Sequence, residues 1–257
     1  MTVIYPSPIF GPIHSRRLGV SLGINLMPGD GKLCSFDCIY CECGFNADFR
    51  PTSTRPSRQE VYAALEAKLI EMKHEEIRPD VLTFAGNGEP TLHPHFPEII
   101  YDTLYLRDKY FPLAKVSVLS NSTNIFSDSV FQALKQVDNN ILKLDTVNID
   151  YIHLLNRPTG HYDLEKLVDR MIAFGGQCMI QTIFLKGISG GFDMNNTTDE
   201  YVLPWLESLK RINPRQVMIY TIDRETPDKS LLKSTPEELD AIAEKVKHAG
   251  LSVSVSY

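Results

Sequence analysis

Short runs of β-branched and aliphatic residues recur along the chain, separated by longer stretches whose apolar positions fall three and four apart. The runs "LGVSLGINL" (18–26), "VLTFA" (81–85), "KVSVLS" (115–120), "ILKLDTV" (141–147), "CMIQTIFL" (178–185) and "QVMIYTI" (216–222) are too short and too β-rich for stable helices. They predict six strands. The helices between them have chemically marked starts. "SRQE", Ser57 to Glu60, is a capping box leading into Val61, Leu65, Leu69 and Met72; "TPEE", Thr235 to Glu238, repeats it with Pro236 at the first helical position. Gly250 closes that last helix before "LSVSVSY", and further helices are expected near 94–110, 127–137, 163–174 and 198–211.

Such βα alternation predicts an α/β fold with a parallel sheet and right-handed crossovers, either open and doubly wound or curled into a full or partial barrel. Both architectures bind ligands at the carboxyl ends of their strands. The residues just after each strand therefore carry the interest.

Length and composition add boundaries. The chain has 257 residues, 43% of them hydrophobic and 23% charged, enough for one large core, and no Pro/Gly/Ser-rich linker divides it. One domain over 1–257 is expected, with an N-terminal segment 1–17 and a core from about residue 18. No apolar run approaches the roughly 18 residues that span a bilayer, and "MTVIYPSPIF" lacks the pattern of a secretory leader. The expectation is a cytoplasmic protein without a membrane partner. A net charge of −6 argues against an overall basic, nucleic-acid-coating surface. The first 58 residues nevertheless carry six Lys/Arg against four acids, which leaves room for a local basic face built from "HSRR", Arg50, Arg55 and Arg58.

The candidate chemistry lies in "GKLCSFDCIYCECG", where four of the five cysteines occupy ten positions. In a reducing compartment such clustering points to metal or redox chemistry before disulfides. Cys34, Cys38 and Cys41 form C-x3-C-x2-C on the loop after the first strand. Three thiolates can cap three corners of a [4Fe–4S] cubane and leave one iron open, whereas electron-transfer clusters take four cysteines. Zinc held by Cys34, Cys38, Cys41 and Cys43 is the alternative, and a weaker one, because four ligands in ten residues leave no second element to staple.

"CSFDCIYC" resembles the signature of the radical S-adenosylmethionine (SAM) superfamily, C-x3-C-x-Φ-C, with Tyr40 at Φ. The segments "GPIHSRRLGVSLGINL", "GNGEPTLHP", "LKLD", "NRP" and "YTIDRETP" are similar in order and spacing to the bacterial and archaeal wyosine-synthase-like radical SAM proteins. This resemblance implies a partial (β/α)6 TIM-type barrel. It further implies one [4Fe–4S] cluster on Cys34, Cys38 and Cys41 whose open iron chelates SAM. One electron then releases a 5′-deoxyadenosyl radical, which abstracts hydrogen from a substrate. Gly88 and Glu89 match the superfamily's Gly-Gly-Glu position, Glu89 facing the SAM ammonium; Ser120 and Asn121 would face the ribose or carboxylate, and Tyr40 the adenine. An electron donor such as flavodoxin or ferredoxin is implied, and tRNA or another nucleotide-bearing substrate comes first. A peptide, protein or small-molecule substrate comes second, and a non-catalytic Fe–S or zinc module third. Wyosine synthases carry extra N-terminal cysteines for a second cluster; here only Cys43 and Cys178 remain, so that cluster is not expected.

Three further candidates come from the residues themselves. Lys143 and Asp145 alternate with Leu142 and Leu144, so a barrel-lining strand would turn one set inward, where buried charge is costly unless paired or functional. They are candidate substrate groups; the alternative is a Lys–Asp pair on a solvated strand end. Arg224, like Arg157, follows a strand and offers a guanidinium to an anionic substrate, or is simply solvated. His93 and His95 flank Pro94 ahead of a helix, a position that favours capping or packing over metal binding.

Overall fold

The computed structural model describes residues 2–15 and 19–257. Eleven strands and seven helices are described: β1 (Ile9–Ser15), β2 (Gly19–Ile24), α1 (Arg58–His74), β3 (Val81–Phe84), α2 (Phe96–Tyr110), β4 (Lys115–Ser120), α3 (Asp128–Leu134), β5 (Asn139–Lys143), α4 (Ile149–Leu155), α5 (Leu164–Ile172), β6 (Cys178–Ile183), β7 (Leu185–Ser189), β8 (Phe192–Asp193), α6 (Asp199–Ile212), β9 (Gln216–Tyr220), β10 (Leu231–Lys233), α7 (Pro236–His248) and β11 (Val253–Ser256). Both predicted capping boxes form: Ser57 and Thr235 accept from the backbone N–H of Glu60 and Glu238, whose carboxylates accept from the cap N–H groups in return.

The main sheet runs β1-β2-β3-β4-β5-β6-β9-β11, and every pairing from β2 to β11 is parallel. Helices cover one face. Val61, Leu65, Leu69 and Met72 of α1, and Val202, Trp205 and Leu209 of α6, pack with Leu82, Val116, Leu142 and Ile180 into one large core. On the opposite, concave face Leu119, Ile141, Met179 and Met218 form a small apolar floor. The six predicted strands are β2, β3, β4, β5, β6 and β9, in sequential order around a partial barrel whose outermost strands, β1 and β11, are not paired with each other among the described residues.

"LSVSVSY" supplies β11, which joins β9 in parallel as an edge strand. Three departures from the sequence reading have physical causes. The segment assigned to an N-terminal extension contains β1, which pairs antiparallel with β2 and so extends the sheet. The run 178–185 divides: β6 ends at Ile183, and Leu185 begins β7 of a separate antiparallel sheet, β10-β7-β8. The strand read at 141–147 spans 139–143, so Asp145 lies beyond it, and Asn148 then caps the unanticipated α4 by accepting from the Tyr151 N–H at 3.0 Å. Arg16 and Arg17 of the proposed basic face lie outside the described residues.

Two contacts fix the cysteine loop over the sheet. Ile39, between Cys38 and Tyr40, is fully buried with Tyr151, Leu155, Ile183, Leu185 and Leu231 in a second apolar cluster. Leu33 pairs with the loop after β3: its N–H donates to Asn87 O at 2.9 Å and its carbonyl accepts from the Glu89 N–H at 3.2 Å, in a bridge with Gly88. Gly88 is required there. Its φ is +136°, and a Cβ would lie 1.9 Å from the Leu33 carbonyl oxygen.

Gly88→Ala is accordingly expected to lower stability by about 1–3 kcal/mol and to undock the cysteine loop, lowering the urea midpoint and the iron retained per chain after anaerobic reconstitution. Wild-type values for both would contradict the docking. Trp205 ties α6 to the sheet, its Nε1 donating to Leu144 O at 3.2 Å and Thr182 Oγ1 at 3.1 Å. Trp205→Phe should cost about 1–3 kcal/mol by removing both bonds, with Leu144 O keeping only the Thr182 hydroxyl at 2.8 Å, read as a shift in urea denaturation followed by far-UV circular dichroism.

Candidate active site and metal centre

The loop from Gly31 to Gly44 is held by its own backbone before any side chain acts. Asp37 N donates to Asn156 O at 2.9 Å, Ile39 N to Leu155 O at 3.0 Å and Cys41 N to Cys38 O at 3.1 Å. These bonds direct the side chains of Cys34, Cys38 and Cys41 to the wall of one cavity of about 460 Å3. Two carboxamides address the sulfurs: Asn121 Nδ2 donates to Cys34 Sγ and Asn156 Nδ2 to Cys38 Sγ, each at 3.5 Å. Burial pushes the Cys34 and Cys38 thiols up, Cys38 to about 11. The neighbouring Cys43 thiol and the Lys32 ammonium pull Cys41 down. A metal that demands thiolates would displace these protons.

The donor set fits a three-cysteine cluster. Among the described residues no group of three His, Cys, Asp or Glu is arranged to hold a metal ion. A four-sulfur zinc centre would gather its ligands around one ion, whereas three cubane corners sit on different irons. Cys43 instead turns toward Gly86 O at 3.5 Å, and Cys178 is buried among Val168, Met171 and Ile180 in the outer core. Lys32, which the sequence reading passed over, lies behind the loop with its side chain 1% exposed. Its ammonium donates to Gly44 O at 2.6 Å.

Glu89 lines the same cavity beside the cysteine loop, at the start of a 3₁₀ turn, Pro90–Leu92. Its Oε1 accepts from Thr91 N at 3.1 Å, Thr91 Oγ1 at 2.6 Å and Ser120 Oγ at 2.9 Å, and its Oε2 accepts from Asn121 N at 2.6 Å. Burial raises its pKa against those four donors. Ser120 and Asn121 thus meet Glu89 directly. Asn121 continues the chain of contacts to the cysteine loop, donating to Ser35 Oγ at 2.9 Å.

Deeper in the cavity a buried network joins Tyr40, Lys143, Asp145 and Asn156. The Tyr40 hydroxyl donates to Asp145 Oδ2 and accepts from Lys143 Nζ at 2.9 Å. Asn156 Nδ2 donates to the same carboxylate oxygen at 2.7 Å, and the Ile183 N–H donates to Oδ1 at 3.1 Å. Lys143 Nζ also lies 3.3 Å from the Tyr220 hydroxyl and 3.6 Å from Asp145. Burial opposes its charge, but Asp145, Tyr220 and Cys38 together outweigh that and raise its pKa. Lys143 and Asp145 are therefore paired at a strand end, as the alternative reading had it, yet buried instead of solvated. Lys143 lines the cavity; Asp145 stands behind Tyr40, its side chain fully buried.

Arg224 lines the same cavity, bound at 2.6 Å to both Glu42 Oε2 and Tyr5 Oη. Arg157 is exposed beside the Phe45 ring. His93 is buried, its ring accepting from the His95 N–H at 3.1 Å and meeting Pro56 O at 2.8 Å, the packing role expected of it. Gln181 was also missed. It lines the cavity at 8% exposure with no side-chain hydrogen bond among the described residues, and strand alternation with Ile183 is the signal that could have found it.

A UPF0026 protein of Helicobacter pylori is 30% identical over 238 residues, covering 91% of this chain and 72% of its own length. One from Methanocaldococcus jannaschii is 32% identical over 86% of this chain and 65% of its own. GTPase Obg of Brachyspira hyodysenteriae is 29% identical over 96% of this chain, which spans only 34% of that protein. Among solved structures, a radical SAM methyltransferase from Sphaerobacter thermophilus superposes with TM-score 0.69 at 14% identity, over 92% of this chain and 66% of that one. Archaeal TYW1 gives 0.54 at 14%, over 89% and 72%. At these identities the likeness is one of fold. The profile of the radical SAM superfamily, enzymes that use a [4Fe–4S] cluster and SAM, matches residues 30–191, and this chain belongs to that superfamily.

Proposed function

We propose that this chain cleaves SAM reductively and abstracts hydrogen from an RNA base or another nucleotide-bearing substrate, as a single-cluster relative of the wyosine-synthase-like group. The observation that carries the reading is the meeting of Cys34, Cys38, Cys41, Glu89 and Lys143 on one cavity at the carboxyl ends of the strands. When bound, the cluster would supply one electron to the SAM sulfonium, yielding methionine and a 5′-deoxyadenosyl radical that takes hydrogen from the substrate.

The chain's own residues have distinct tasks in this reading. Cys34, Cys38 and Cys41 hold the cluster, and the Asn121 and Asn156 amides orient two of the sulfurs. Glu89 offers Oε2, which accepts one bond from the protein, to the SAM ammonium, while Ser120 and the Asn121 N–H fix its direction. Gly88 lets the cysteine loop come close enough to share the site. Tyr40 presents its ring to the adenine, and Asp145 and Asn156 hold its hydroxyl. Lys143 directs an ammonium toward an electronegative substrate atom, and Arg224 closes the wall. The motif order shared with the wyosine-synthase-like proteins supports the RNA base. A single domain, a cytoplasmic setting and a flavodoxin- or ferredoxin-type donor belong to the same reading.

Anaerobically reconstituted protein with dithionite should convert SAM to 5′-deoxyadenosine, and Cys38→Ala should abolish that conversion; chromatographic quantification of the nucleoside decides both. Activity retained by Cys38→Ala would remove the cluster assignment. Total tRNA from a deletion strain should lack or accumulate one modified nucleoside relative to its parent by mass spectrometry. An unchanged profile would move the assignment to a peptide, protein or small-molecule substrate.

A further inference from the structure

Resting on the cluster reading above, we propose that Lys32 is a positioning residue for the incoming electron: its buried charge raises the reduction potential of the centre held by Cys34, Cys38 and Cys41. A buried ammonium is unfavourable unless it is paired and hydrogen-bonded. Lys32 is only partly paired by the protein. Its nearest carboxylate oxygen, Asp37 Oδ1, is 3.4 Å away, already accepts from Asn46 N at 2.7 Å, and belongs to a side chain that is 25% exposed. The closer contact, Gly44 O at 2.6 Å, is neutral.

The ligand-bearing loop itself encloses the ammonium: Asp37 immediately precedes Cys38, and Gly44 lies three residues after Cys41. Geometry leaves the ammonium little freedom. Lys32 N donates to Phe49 O at 2.6 Å, and the next residue, Leu33, pairs with the Gly88 loop. The charge is thus fixed at the root of the loop that carries all three ligands.

Electrostatics gives the direction. Reduction adds one electron from a low-potential donor to the centre, with no bond formed or broken and no proton required. The centre becomes more anionic, so a fixed positive charge in a low-dielectric setting stabilises the reduced form more than the oxidised one. A merely structural Lys32 would act only through its bond to Gly44 O.

An EPR-monitored redox titration of the reconstituted, SAM-free holoprotein, with iron and sulfide measured in each sample, separates the two roles. Lys32→Gln keeps a donor for Gly44 O without the charge. It should shift the reduction equilibrium about tenfold toward the oxidised form, or about 59 mV for a one-electron couple. Lys32→Arg, which keeps the charge, should stay within about twofold of wild type. Asp37→Asn, which removes the carboxylate, should shift the potential the other way. A wild-type midpoint in fully loaded Lys32→Gln overturns the proposal; if that variant fails to hold a cluster, an unmoved midpoint in Asp37→Asn does so. Wild-type protein that takes up no iron defeats the function reading and this one together, whereas a loaded, SAM-cleaving wild type with an unmoved Lys32→Gln defeats this one alone.

Discussion

The site depends on one backbone pairing, in which the strand-like start of the cysteine loop lies against the loop after β3. Leu33 exchanges hydrogen bonds with Asn87 and Glu89, and the close approach exists because residue 88 has no side chain. That pairing joins the sulfur-bearing segment to the carboxylate-bearing one. Asn121 adds the third member by bonding to the Cys34 sulfur through its side chain and to Glu89 through its backbone. Residues 34, 89 and 121 thus share one wall, although long βα crossovers separate them in the chain.

Burying so many polar groups is tolerable because they satisfy one another. Asp145 accepts from a tyrosine, an asparagine and a backbone N–H while standing 3.6 Å from Lys143. In a low-dielectric interior, a network this complete holds its members rigidly, and removing any one member strands the others. This explains how a lysine can stay charged beneath two tyrosine rings, 5.2 Å from the Tyr40 centroid and 5.9 Å from that of Tyr220.

Much of this was legible in the sequence because local rules and the fold agree. The six core strands follow from β-rich runs, the first and last helices from their capping boxes, and the thiol loop from cysteine spacing. The departures arise where tertiary pairing decides. "IFGPIHS" becomes a strand because β2 offers it an edge, and the chain leaves the main sheet at Leu185 because β10 offers that residue another partner. Lys32 could not be recognised as buried from its neighbours Gly31 and Leu33, since its burial comes from the loop folding back through Gly44. Gln181 reads as an ordinary strand residue until the sheet curls and leaves its amide facing a cavity.

The chain contains one tryptophan, and its location carries a spectroscopic consequence. The Trp205 indole sits edge-on to Phe184, with ring centroids 5.4 Å apart, and bonds to the carbonyl immediately before Asp145. Its ultraviolet emission therefore originates from a single known point directly behind the buried carboxylate. Quenching by any light-absorbing group that enters the barrel is an intrinsic optical gauge of occupancy, available without attaching a dye.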